Sequence, residues 1–117
     1  MVLGMATLNL PTGTWSIFGN EEQGQMVITA VDSQGNLTGT AFGDPITGAY
    51  HAPSGLIHFS RKVDPSILKS QVYTGHISIV TTGVDAPQYL LAGSYITIPF
   101  GLRPHFGWYA TITKVIV

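Results

Sequence analysis

The chain has no cysteine in its 117 residues, which removes disulfide frameworks, cysteine–zinc sites and thiol nucleophiles together and leaves no trace of the redox compartment. Charge is scarce as well. Asp, Glu, Lys and Arg make up 9% of the residues, against roughly 25% in an ordinary soluble domain. The net charge is −1 and the only basic cluster is Arg61-Lys62, so no face is expected to neutralise phosphates and no nucleic-acid partner is expected. No apolar run approaches the roughly 20 residues that span a bilayer, so no membrane span is expected. No segment keeps the apolar period of an amphipathic helix over a useful length. Met1 to Leu10 is apolar but lacks the basic start of a signal peptide, and reads equally as an extra strand, an arm or an expression remnant.

What is present is a succession of short β-like runs. The first opens at Pro11-Thr12-Gly13-Thr14-Trp15 and continues to Phe18. Gln25 to Val31 alternates Met26, Ile28 and Ala30 against Val27, Thr29 and Val31, as expected of a strand covered on both faces. Asp32-Ser33-Gln34-Gly35-Asn36 carries strong turn chemistry. Further runs span 37–42, 46–51 and 56–62, with breaks expected at Asp44-Pro45 and at Ala52-Pro53-Ser54-Gly55. A less regular connection follows, with one helical turn expected around Pro65 to Leu68. Residues 71–80, 88–98 and 107–115 complete a count of eight strands, with connections at 81–87 and 99–106.

Triplets with a central glycine recur in mid-strand: Thr12-Gly13-Thr14, Thr38-Gly39-Thr40, Thr47-Gly48-Ala49, Thr74-Gly75-His76 and Ala92-Gly93-Ser94. Glycine inside a strand costs stability, and strong coiling of a small barrel supplies a reason for it. One domain over residues 1–117 is expected, an all-β, eight-stranded antiparallel up-and-down barrel with 1–11 as an N-terminal arm. A surface with so little charge, beside 44% hydrophobic residues, points to outer faces buried on other copies of the chain. An aggregation-prone or membrane-associated chain is the competing account.

Several of these motifs stand together in an order that resembles the avidin and streptavidin family of calycin-type barrels. They are Gly13-Thr14-Trp15, Gly35-Asn36-Leu37-Thr38-Gly39-Thr40, Val72-Tyr73-Thr74-Gly75-His76, Gln88-Tyr89-Leu90-Leu91 and Thr111-Ile112-Thr113-Lys114-Val115. The resemblance covers about residues 12 to 115. It implies a barrel paired into dimers or tetramers, with Trp15 at the base of the lumen and biotin held by polar side chains and indoles. The polar positions have changed. Ile17 stands in place of an asparagine, Ala41 of a tyrosine, Gly43 of a serine, and Ala110 or Tyr109 of an aspartate. Losing such paired groups from a desolvated site costs kcal/mol each, so tight biotin binding is not expected. Phe59 or its neighbour Ser60, Tyr73 and Tyr89 match positions where tryptophans line the cavity, and the tryptophan donated by a neighbouring subunit falls near Gly101.

The resemblance therefore implies a homo-oligomer that binds a small apolar or aromatic ligand other than biotin, lined by Tyr73, Tyr89, Phe59, Ile17, Ala41 and Gln71. The alternative is a structural or interaction protein with a filled lumen. A carbohydrate module using exposed Trp108 or Tyr95 stands third. No cofactor is expected. The histidines at 51, 58, 76 and 105 share no zinc-site spacing, and His76 is expected to face outward, opposite to Tyr73. The carboxylates Glu21, Glu22, Asp32, Asp44, Asp64 and Asp85 read as solvated turn residues. With no Gly-x-Ser-x-Gly elbow and no paired acid and base, no enzyme is expected. Asn36-Leu37-Thr38 matches a glycosylation acceptor but reads first as part of a turn.

Overall fold

A computed structural model describes residues 9–19, 22–64, 69–80, 88–98 and 106–113. The N-terminal stretch before Asn9, the helical turn expected at 65–68, and the connections at 81–87 and 99–105 lie outside these residues, as do His105, Gly101, Glu21 and Asp85. The elements are β1 (Gly13–Gly19), β2 (Glu22–Val31), β3 (Asn36–Ala41), β4 (Asp44–His51), β5 (Leu56–Asp64), β6 (Lys69–Val80), β7 (Gln88–Ile98) and β8 (Phe106–Thr113). Each pairs antiparallel with the next, and β1 closes on β8, so the described residues form an all-β, up-and-down closed barrel. Among the described residues no strand is left as a free edge strand, since Ser16–Gly19 of β1 pair with Thr111–Trp108 of β8. Strands β1, β3, β5 and β7 all finish at one end, here the upper rim; they begin at the lower rim.

The side-chain period of a strand divides each one into lumen and outer face. Trp15 and Ile17, Met26 and Ile28, Leu37 and Ala41, Ile46 and Tyr50, Ile57 and Phe59, Tyr73 and Ile77, Leu91 and Tyr95, and Trp108 with Ala110 and Ile112 belong to the inward set, and all are buried. Trp15 is fully buried and its indole N–H donates to the carbonyl of Pro11 at 3.1 Å. The mid-strand glycines have a physical role. A side chain at Gly48 would stand 2.5 Å from Phe59 Cα, and one at Gly93 would stand 2.6 Å from Gly75 Cα, so the backbones of neighbouring strands occupy the space a Cβ would need.

Two local expectations are corrected. Asp44-Pro45 does not break the chain; both residues open β4, and the turn is Phe42-Gly43, with φ of 51° and 84°. Positive φ at both central residues is the geometry of a tight hairpin. Phenylalanine is unusual there, and long-range packing holds it: its amide donates to the Gln25 carbonyl at 2.9 Å, and its ring lies where a Cβ at Gly24 would have to be. In β2 the strict alternation fails after Ile28, because the register with β3 shifts between Ile28 and Ala30. This irregularity leaves Ala30 exposed and turns Val31 toward the core. The turn at 32–36 forms as expected. The Asp32 carboxylate accepts from the amides of Gln34 and Asn36 and from the Asn36 side chain, and these bonds, led by those from Asn36, hold its pKa below the ordinary carboxylate value.

Candidate functional site

The upper half of the lumen is occupied by stacked rings. Tyr73 lies between Phe59 and Tyr95, with centroids 4.7 Å apart on each side and planes within 10° and 18°. Trp108 meets Phe59 and Tyr73 edge-on at 5.6 Å. Register produces this cluster, since Phe59 pairs with Tyr73 and Tyr73 with Tyr95 across β5, β6 and β7. Each favourable ring pair adds about 0.5–1.5 kcal/mol beyond the area it buries. The Trp108 indole N–H is shared by the carbonyls of Thr74 at 3.1 Å and Ser94 at 3.2 Å. Glycine at 75 makes room for that indole, because a Cβ there would stand 2.9 Å from its Cζ2.

Above the rings, toward the upper rim, sits a polar cap. Arg61 is an inward residue of β5, two places after Phe59. Its guanidinium pairs with Asp44, through Nε at 2.9 Å and Nη2 at 2.8 Å. Nη1 donates to Gln71 Oε1 at 2.9 Å and to the Tyr73 hydroxyl at 3.4 Å. Tyr73 in turn donates to the same Gln71 oxygen at 2.7 Å, and Gln71 Nε2 donates to Thr97 at 3.3 Å. The Phe42 ring lies against the guanidinium, 4.6 Å from centroid to Cζ. No buried side-chain nitrogen or oxygen among the described residues lacks a partner, so an otherwise expensive buried polar group is accommodated.

Burial pushes the Tyr73 phenol above its ordinary value of 10.0, opposed in part by the hydrogen bond and charge of Arg61. Tyr95 is raised by burial and then by the charge of Glu22, and Tyr50 by burial. A raised folded-state pKa means that the unfolded chain ionises first. The stability is then fully present below pH 10.0 and is lost as pH rises from there through the folded-state values. Urea midpoints are expected to fall above about pH 10, with Tyr73→Phe flattening the fall. Midpoints that stay level through that range would count against buried phenols as the cause.

The structure brings together five of the six residues expected to line a ligand. Tyr73, Phe59, Ile17 and Ala41 are inward and essentially inaccessible, and Gln71 belongs to the cap. Tyr89 is not with them. It pairs with Ile79 and Ile112 near the lower rim, six residues along β7 from Tyr95, or about 20 Å at the usual rise per residue. The last strand's alignment also resolves: Ala110 is inward, opposite Ile17, whereas Tyr109 is outward.

Three readings of side chains are corrected. Asp44 is no solvated turn residue, because the β4–β5 register carries Arg61 to it. Trp108 and Tyr95 are 3% and 6% exposed, since they share the inward phase of their strands, and so they offer no open aromatic platform for a sugar. His76 faces outward as expected, exposed and opposite to Tyr73. Sequence reasoning missed Arg61, Asp44, Phe42, Tyr95 and Trp108 as parts of one cluster. The signal available was phase: Arg61 shares the inward face with Phe59, and an inward arginine requires a carboxylate within reach.

A separate cleft of about 490 Å³ opens at the lower rim, between Leu10, the 32–35 turn and the end of β4 at Tyr50 and His51. Among the described residues no group of three or more His, Asp or Glu side chains is placed to hold a metal ion. Fold and site together define a closed eight-stranded barrel whose upper lumen holds its own aromatic stack beneath an ion-paired cap. No protein-family model, curated protein or solved structure matches the chain.

Proposed function

We propose that the chain is a non-catalytic, avidin-like barrel that acts as a structural or interaction protein, self-associating through its outer faces while its lumen is filled by its own side chains. The observation that carries this reading is the ring stack. At a centroid spacing of 4.7 Å no further flat ring fits between its members, and the residues that replace the family's polar contacts, Ile17 and Ala41, are fully buried. The ordered motifs and the closed eight-stranded barrel support the avidin-like assignment, and the scarcity of charge supports self-association.

A second reading draws on the same stack. Tyr73 already lies in a slot of one ring's thickness between Phe59 and Tyr95, and if it swung out, that slot would take a flat aromatic ligand. One pair of measurements separates the two: sedimentation equilibrium, and a thermal-shift screen of small planar aromatics with biotin beside them. The filled-lumen reading expects self-association at micromolar concentration and no ligand-dependent shift. A monomer whose Tm rises with one of the aromatics would replace it with the ligand-binding reading.

A further inference from the structure

Three segments remote in sequence meet at the lower rim. Residues 9–12 lead into β1, the 32–35 turn joins β2 to β3, and Tyr50 to Pro53 carry the chain out of β4. The cleft of about 490 Å³ between them has the size of a small-molecule site. It lies at the end of the barrel opposite the Arg61–Asp44 cap and shares no described residue with the cap or the ring stack.

Each wall of the cleft is fixed by its own hydrogen bonds. The Pro11 carbonyl accepts from the Trp15 indole at 3.1 Å. The next turn is closed by the Asp32 carboxylate, and the Tyr50 amide ties it to β4 by donating to the Gly35 carbonyl at 2.8 Å. Beyond β4 the amides of Ser54 and Gly55 both donate to the His51 carbonyl, at 3.2 and 2.8 Å, and the His51 ring bonds to Ser54 Oγ at 2.6 Å. Walls held in this way are formed before anything enters, so little ordering is charged to a ligand.

The lining has two chemical sides. Leu10, Val31, Ala52 and Pro53 supply apolar surface, while Asp32 is the one carboxylate and no lysine or arginine is among the described lining residues. The three groups that donate to Asp32 are neutral amides, at 2.8, 2.9 and 3.1 Å, and no cation among the described residues forms an ion pair with it. These bonds lower its pKa from 3.8 and keep it ionised at neutral pH, so its charge stands uncompensated at the edge of an apolar cleft.

We propose that the lower-rim cleft is a binding site for a small organic cation, an ammonium or trimethylammonium group on a compact apolar body, with Asp32 facing the charge and Leu10, Val31 and Pro53 covering the body. A bare metal ion is the poorer match. It requires several ligands converging on one point, and no group of three or more His, Asp or Glu among the described residues is so placed. An anion meets no counter-charge there. The site depends neither on a filled lumen nor on self-association, and its test reads neither.

The test is a titration of the full chain with benzyltrimethylammonium, followed through amide chemical shifts, with phenylacetate as the anionic control. The cation is expected to bind with a Kd of about 1 mM and to move the amides of Ser33 to Asn36, His51 and Ala52; phenylacetate should move none of them. Two variants read the charge. Asp32→Asn removes it but also alters the bonds of the turn. Gln34→Lys sets a positive charge at the rim and leaves those bonds in place, since only the backbone amide of Gln34 takes part in them. Each is expected to raise Kd at least about threefold, the scale of an exposed ion pair. If Asp32→Asn fails to fold, Gln34→Lys gives the same reading. Equal binding of phenylacetate, or a Kd unmoved by Gln34→Lys, overturns the cation as the ligand. Shifts confined to Phe59, Tyr73 and Tyr95 overturn the location, and no shift with benzyltrimethylammonium overturns the site.

Discussion

Replacing Tyr73 by alanine is expected to lower the unfolding free energy by about 3–5 kcal/mol, the usual cost of truncating a buried aromatic side chain. The ring is 1% exposed and makes both faces of the stack with Phe59 and Tyr95, besides the edge contact with Trp108. None of these neighbours is free to collapse, because each is fixed on a strand of the closed barrel. The change also removes the hydroxyl that donates to Gln71 and lies within reach of Arg61. Tyr73→Phe isolates that part and should cost about 1–2 kcal/mol. The alanine variant leaves a slot one ring thick, and a dry apolar cavity of this kind can take up a small aromatic. Phenol in excess should therefore restore part of the loss by mass action. Urea midpoints for wild type and both variants, with and without phenol, make the measurement. A loss below about 1 kcal/mol for Tyr73→Ala would mean that the stack does not close the lumen.

How much of this was legible in the sequence depends on how local each cause is. The turns at 32–36 and 52–55 were legible because their chemistry lies within a few residues: Asp32 captures amides of its own turn, and Gly55 supplies a φ of 75°. The hairpin at Phe42-Gly43 was not. Its causes are Gly24 and Arg61, far away in sequence, and Asp44-Pro45 offered a stronger local signal beside it. Strand count and closure followed from turn spacing and the mid-strand glycines. The β2 irregularity did not, since a register shift is a property of the pair of strands.

The site divides along the same line. Tyr73 lies within one of the ordered motifs, and Ile17, Ala41 and Phe59, or its neighbour Ser60, were matched to lumen positions through the resemblance those motifs carry. Whether their side chains leave a lumen open depends on register across three strands, and that is where the stack arises. Tyr89 shares the inward phase with Tyr95 but stands far along the strand, a distinction that phase alone does not make. The Arg61–Asp44 pair spans 17 residues of sequence and a hairpin, so neither residue announces the other.

Gly93, on the inward phase of β7, and Gly107, on the outward phase of β8, should answer differently to alanine, and the contrast tests why glycine recurs in these strands. Gly93→Ala is expected to cost about 3 kcal/mol or more, at the upper end of overpacking penalties. Its Cβ would be driven against the Thr74 carbonyl oxygen and to within 2.6 Å of Gly75 Cα. The obstacle is backbone on both counts, so no rotamer change relieves it; β6 and β7 would have to part, and that pairing carries the Tyr73–Tyr95 stack. Gly107→Ala, one strand away, has a nearest neighbour at 3.8 Å and no left-handed φ. Its Cβ meets ordinary contact while the unfolded chain loses freedom, so the expected change is between neutral and a gain of about 1 kcal/mol. Urea unfolding of both variants at matched chain concentration reads the difference. Equal effects at the two positions would mean that the mid-strand glycines mark composition alone, and that the close approach of β6 to β7 places no steric demand on position 93.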